Sequence, residues 1–151
     1  MQLEYKQYSD PAIQGALSGI GPKHILSYVA EEDIPVGYPV MLGTDPQNQV
    51  KKATTGASVI GISVHDYARE QDSQGNVLYK DTQAVSCLAM GQIWVKTAKE
   101  VTAGKKANLS TADGTFTDAA VASGIEAITL LNCVFLTSTS KAGELALLEV
   151  K

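Results

Sequence analysis

The chain has 151 residues, a net charge of −4 and charged residues at only 19%. One domain of this length buries about 68–70% of its unfolded surface and needs no disulfide or metal to hold it. The acidic balance gives no electrostatic reason to bind nucleic acid, and no run approaches the ~20 apolar residues of a membrane helix, so neither partner is expected.

The 13 glycines, with many Ser, Thr and Ala, suit short strands and tight turns better than long helices. Residues 1–24 read as an extended N-terminal arm. Pro11, Gly15, Gly19, Gly21 and Pro22 break any helix there, while Leu3, Tyr5, Tyr8, Ile13, Leu17 and Ile20 need a surface to lie on. The opening Met1-Gln2-Leu3-Glu4-Tyr5-Lys6 lacks the apolar core of a signal peptide, so synthesis in a reducing cytoplasm is expected.

From residue 25 to 151 the pattern predicts a single β domain. Ile25–Val29 reads as a strand, and Tyr38–Leu42 as a second whose Pro39 places it at an edge or a strand start. Val50–Ala53 and the β-branched run Val59–Val64 follow. Residues 66–80 form the most polar internal stretch, with a loop tip at Gln71–Asn76 and a return arm at Val77–Tyr79. Gln83–Leu88 and Gln92–Lys96 read as two strands split by Met90-Gly91. Asp113-Gly114 between Leu109-Ser110 and Thr115–Thr117 is the strongest hairpin signal in the chain. Ile128–Leu131 and Cys133–Leu136 read as one long strand. Glu144–Val150 fits a strand or a short helix, which periodicity alone does not separate. About ten short strands at roughly 8–12-residue spacing give an all-β fold, a compact barrel or sandwich of antiparallel strands.

Catalytic chemistry has little to stand on. His65-Asp66 are adjacent, but strand neighbours point to opposite faces, and there is no Gly-x-Ser-x-Gly elbow. No Cys-x-x-Cys or His-x-x-x-His pair offers a metal site. Asp66, Asp72 and Asp81 lack the alternating spacing of a calcium loop. Gly19-Ile20-Gly21 is followed by His24 where a dinucleotide loop has its third glycine. Neither an enzyme nor a cofactor is expected. Cys87 and Cys133, each in an apolar run, read as buried hydrophobes rather than a disulfide. Trp94, between Ile93 and Val95, reads as core packing or as a contact with another subunit, since tryptophan is enriched at interface hot spots.

The order of motifs carries a resemblance. Ile34–Val40, Val50–Ala53, Val59–Ser63, Gly91–Val95, Val101–Gly104 and Asp113–Phe116, preceded by Ser9–Ala12, Gly15 and Ser27-Tyr28, resemble the structural cement proteins of tailed bacteriophages. The likeness covers roughly residues 8–136. It implies a non-enzymatic virion protein on the outer surface of a capsid, stabilising the shell by bridging major capsid protein subunits. It further implies a homo-dimer or homo-trimer, without choosing between them. The expected contact residues are Leu3, Tyr5, Tyr8, Ile13 and Leu17 of the arm, with Trp94. A phage tail, baseplate or head-completion subunit is the alternative, and a glycan-binding role would use the loop within 66–80.

Overall fold

The computed structural model describes residues 13–18, 21–66, 70–71 and 77–151. Among them are fourteen strands, one turn of 3-10 helix at Gly56–Ser58 and no α-helix. In chain order the strands are β1 (Leu17–Ser18), β2 (His24–Ala30), β3 (Ile34–Pro35), β4 (Pro39–Leu42), β5 (Gln49–Lys52), β6 (Gly61–Ser63) and β7 (Glu70–Gln71). They continue with β8 (Val77–Tyr79), β9 (Ala84–Lys96), β10 (Asn108–Ser110), β11 (Thr115–Thr117), β12 (Ile125–Ala127), β13 (Cys133–Phe135) and β14 (Leu145–Val150).

The strands fall into three sheets. An eight-stranded sheet runs β13-β14-β9-β2-β5-β4-β6, with β1 also on β9. A two-residue ladder between β6 and β9 leads the path back to β9. Two three-stranded sheets, β11-β10-β12 and β3-β8-β7, lie outside that path, so the chain as a whole is not one closed barrel.

β9 organises the molecule because it passes from one apolar core to the other. Its first half sends Val85 and Cys87 into a core with Ala30, Ile34, Val40, Val50 and Tyr79. Its second half sends Ile93 and Val95 into a larger core with Leu109, Phe116, Phe135, Ala146 and Leu148. Leu88, adjacent to Cys87, joins the second core. The change of side has a local cause. His24 pairs with Met90 but Ile25 pairs with Leu88, so Ala89 is one residue extra. A bulge of one residue inverts the alternation beyond it, which puts Leu88, Ile93 and Val95 on one face. Gly91 follows at φ +137°, a backbone setting that L side chains avoid. The two small sheets each close one core, the β10 sheet through Leu109 and Phe116, the β3 sheet through Ile34 and Tyr79.

Buried polar groups are matched where they fix loops. Ser63 is fully buried, and its hydroxyl donates to the Pro35 carbonyl at 2.6 Å and accepts from the Tyr38 N–H at 3.1 Å. The Tyr79 hydroxyl donates to the Val64 carbonyl at 2.6 Å. Glu126 accepts the Gly56 N–H at 2.7 Å, tying β12 to the 3-10 turn. Gly56 tolerates no side chain there, because a Cβ would stand 2.3 Å from the Ala127 carbonyl oxygen.

Several sequence expectations change. Gln83–Leu88 and Gln92–Lys96 are one bulged 13-residue strand, because β2 and β14 follow each other along it and keep the ladder going. Ile128–Leu131 is not strand: Ile128 is buried, Leu130 is 61% exposed, and the strand β13 starts only at Cys133. Val59–Val64 keeps only Gly61–Ser63 as strand. β14 resolves the strand-or-helix alternative as a strand, with Ala146, Leu148 and Val150 inward. The Asp113-Gly114 hairpin forms with Ser110 opposite Thr115, closed by the Gly114 N–H on the Ser110 carbonyl at 2.9 Å. Most of the loop tip at 71–76 lies outside the described residues.

Candidate interaction surface

Of the residues expected to make contacts, Leu3, Tyr5 and Tyr8 lie outside the described residues, while Ile13, Leu17 and Trp94 are placed. The described stretch from Ile13 to Ser18 lies against the domain. Gly15 donates to the Trp94 carbonyl at 2.7 Å and accepts from the His65 N–H at 2.8 Å, and Trp94 donates to the Ala16 carbonyl at 3.0 Å. Gly15 and Gly37, at φ +82° and +76°, cross closely: a Cβ on Gly15 would stand 2.9 Å from the Gly37 nitrogen. Two glycines are needed because both chains have left-handed backbone and neither leaves room for a methyl group.

This docking separates the three placed residues. Leu17 stands opposite Ile93 and packs, half-buried, on the larger core. Ile13 is 42% exposed just before the docked glycine. Trp94 is half-buried and turned away from the core, because Ile93 and Val95 on either side of it are fully buried. Both its backbone bonds go to Gly15 and Ala16, just before β1, so across the ladder it faces Leu147 in a non-hydrogen-bonded pair, the closer of the two antiparallel pair types. Leu145 and Leu147 of β14, Val134 of β13 and Leu136 just beyond it alternate with buried residues and share that outward side. Gln92 and Glu149 close one end of the patch, and Lys96 the other. The face is therefore an apolar stripe with Trp94 in its middle and polar groups at its ends.

The sequence singles out Trp94, as the one tryptophan, but not the leucines beside it on this face. The signal was present in the alternation of Leu145-Ala146-Leu147-Leu148-Glu149-Val150. It was unreadable without knowing which side of β14 is covered.

Beside the patch, β1, the segment leading into β2, β9 and β14 meet around a groove of about 410 Å³ lined by residues including Pro22, Lys23, Met90 and Gly91. Glu149 and Lys151, also in its lining, are paired at 3.0 Å. It contains no histidine or cysteine. His24 is exposed on β2, and the His65 N–H serves Gly15. Both cysteines are buried free thiols, and burial pushes each up to about 12, so neither is a ready nucleophile. Among the described residues no group of three metal-binding side chains gathers, and no helix is long and apolar enough to cross a membrane.

The comparison with protein families shows what kind of protein carries this surface. The family model described as structural cement protein (E217 gp24/Pam3 gp6) matches residues 1–151. The chain belongs to this phage structural cement family. No curated protein matches it. Among solved structures, a chain of the capsid of Myoviridae phage XM1 is similar over 99% of this chain and 96% of its own, at 16% identity and a TM-score of 0.72. The N base of the head fibre gp8.5 of bacteriophage phi29 is similar over 86% of this chain and 95% of its own, at 9% identity and a TM-score of 0.56. At these identities the likenesses show a shared fold. This cement-family protein is a phage structural protein.

Proposed function

We propose that this protein binds the outside of its phage's capsid as an oligomer and stabilises the shell by bridging major capsid protein subunits, with no catalytic activity. The family match over the whole chain carries the proposal. Two features of the molecule support it. The patch around Trp94 and Leu147 offers an apolar, half-buried face with polar ends, the composition of an interface centre and rim. The chain also enters the domain beside that patch, so Leu3, Tyr5, Tyr8 and Ile13 would extend the same contact, with residues 1–24 as the clamp and residues 25–151 as the body. Leu17, packed on the core, would hold the clamp's root rather than touch the shell. The two small sheets packed on the large one favour the sandwich form of the expected fold.

Each copy can bind modestly and still hold the shell, because an oligomer spanning neighbouring capsomers gains from multivalency. The test is heat rupture of cement-free expanded shells with and without added protein. Shells that rupture at a higher temperature in proportion to bound protein support the proposal. Rupture unchanged at saturating protein contradicts it.

A further inference from the structure

β2 has an open edge. Along one side it pairs with β9 from His24 to Val29. On the other side β5 arrives only at Val29 and Ala30, where the Val29 N–H donates to the Asn48 carbonyl at 2.8 Å. Backbone groups two residues apart point the same way, so the N–H and C=O groups of Ile25 and Ser27 also point away from β9. Ser86, opposite Ser27, gives its carbonyl to Val64 instead, which agrees. Among the described residues no strand pairs with that side of Ile25 or Ser27.

The edge is also undefended. Natural edges are blunted by Lys, Pro or a short length. Residues His24-Ile25-Leu26-Ser27-Tyr28 contain neither residue type, and Ile25 is 46% exposed and Val29 37%.

We infer that this edge is closed by the β2 of a second copy of the chain, in antiparallel register about Leu26. The free edge is bounded by Pro22, which lacks an N–H, and by Asn48 beside Val29. Its middle residue is Leu26, and the two residues with free backbone groups flank it symmetrically. A two-fold axis at Leu26 therefore sets Ile25 against the partner's Ser27 and Ser27 against the partner's Ile25. Each such pair exchanges two N–H···O=C bonds, four in all. Leu26 meets its own copy, and His24 meets the partner's Tyr28. The same register carries Lys23 toward the exposed Asp45–Asn48 turn of the partner, so the charges attract. An edge that is its own complement makes an isologous, closed dimer. This rests on the proposed oligomeric cement role and names the contact that would build the oligomer.

Proline at Ser27 is the discriminating change. Its N–H points outward, so Ser27→Pro removes an edge donor while leaving the β2–β9 ladder intact. Sedimentation equilibrium of the full chain, of Ser27→Pro and of Ile25→Lys tests the inference, with circular dichroism reporting the fold. A native dimer is expected, with its dissociation constant raised at least tenfold in both variants and the strand spectrum unchanged. Should Ser27→Pro not fold, Ile25→Lys alone decides. A monomeric native protein, or a native oligomer that both variants leave untouched, overturns the inference. So does a monomeric native chain whose shell binding is lost in Ser27→Pro, since the edge would then receive a capsid strand. Shell binding is read separately by co-sedimentation, so a dimer that fails to bind shells would sink the cement role and leave the contact standing.

Discussion

Trp94 and Leu147 face each other across the β9–β14 ladder on the side of the sheet turned away from the core. Their neighbours along each strand, Ile93, Val95, Ala146 and Leu148, are fully buried, so these two side chains contribute little to the core and are available to a partner. Truncation should therefore separate binding from stability. Trp94→Ala and Leu147→Ala are expected to weaken attachment to shells by about tenfold or more, as interface anchors do. Their melting temperatures should stay close to that of the native protein. Binding isotherms with purified expanded shells, alongside thermal melts, check both halves.

The crossing of Gly15 and Gly37 makes a second prediction. Gly15→Ala places a methyl group 2.9 Å from the Gly37 nitrogen on a backbone at φ +82°. The left-handed setting alone costs roughly 1–2 kcal/mol for an L side chain, and the clash adds to it. The segment from Ile13 to Ser18 should come away from Trp94 and His65 before the rest unfolds. Hydrogen exchange at the Gly15, Trp94 and His65 amides would show it, with protection lost there and retained in β2.

How far such contacts are legible in the sequence depends on their range. The Asp113-Gly114 hairpin reads directly, because a turn is decided by residues four apart. β2 and β5 read by local alternation and β-branched content. The unity of β9 does not, since Met90-Gly91 looks like a break and only the partners β2 and β14 show it to be a bulge. Ile128–Leu131 has strand composition, yet among the described residues no strand pairs with it, and Leu130 stays exposed. Trp94 stands out as the one tryptophan, but its outward direction follows from the bulge at Ala89, a non-local feature.

Ser63 holds the loop between β3 and β4 through both sides of its hydroxyl. Ser63→Ala leaves the Tyr38 N–H and the Pro35 carbonyl without that partner in a buried position. A loss of about 1–3 kcal/mol is expected. Equilibrium denaturation in urea should show a lower midpoint with an unchanged slope, and shell binding per folded molecule should be unaltered.

The two thiols give the pH dependence. Burial raises Cys87 and Cys133 from near 9 to about 12 in the folded protein. A group raised on folding contributes its stability fully below the unfolded value and loses it as pH climbs toward the folded one. Stability should thus fall between about pH 9 and pH 12, and Cys87→Ala with Cys133→Ala should flatten that fall. At pH 8 a thiol reagent should label neither cysteine until denaturant is added. At the acid end, Glu31 is held low chiefly by the Thr44 hydroxyl, and Glu144 by the Ser140 N–H and hydroxyl. Both contributions are present above the ordinary carboxylate value and vanish as pH falls below it. Solvent exposure keeps them small, and a carbon-detected titration would place both below the ordinary carboxylate value.

The central claim is attachment to the shell. The most direct measurement is co-sedimentation of the purified chain with expanded, undecorated capsids of its own phage, repeated with a variant lacking residues 1–12. Saturable binding at a fixed number of copies per capsid, weakened without those residues, is the predicted result. No binding by the full chain, or its assembly into rings or tubes in place of shell attachment, would contradict the cement role and favour a tail subunit.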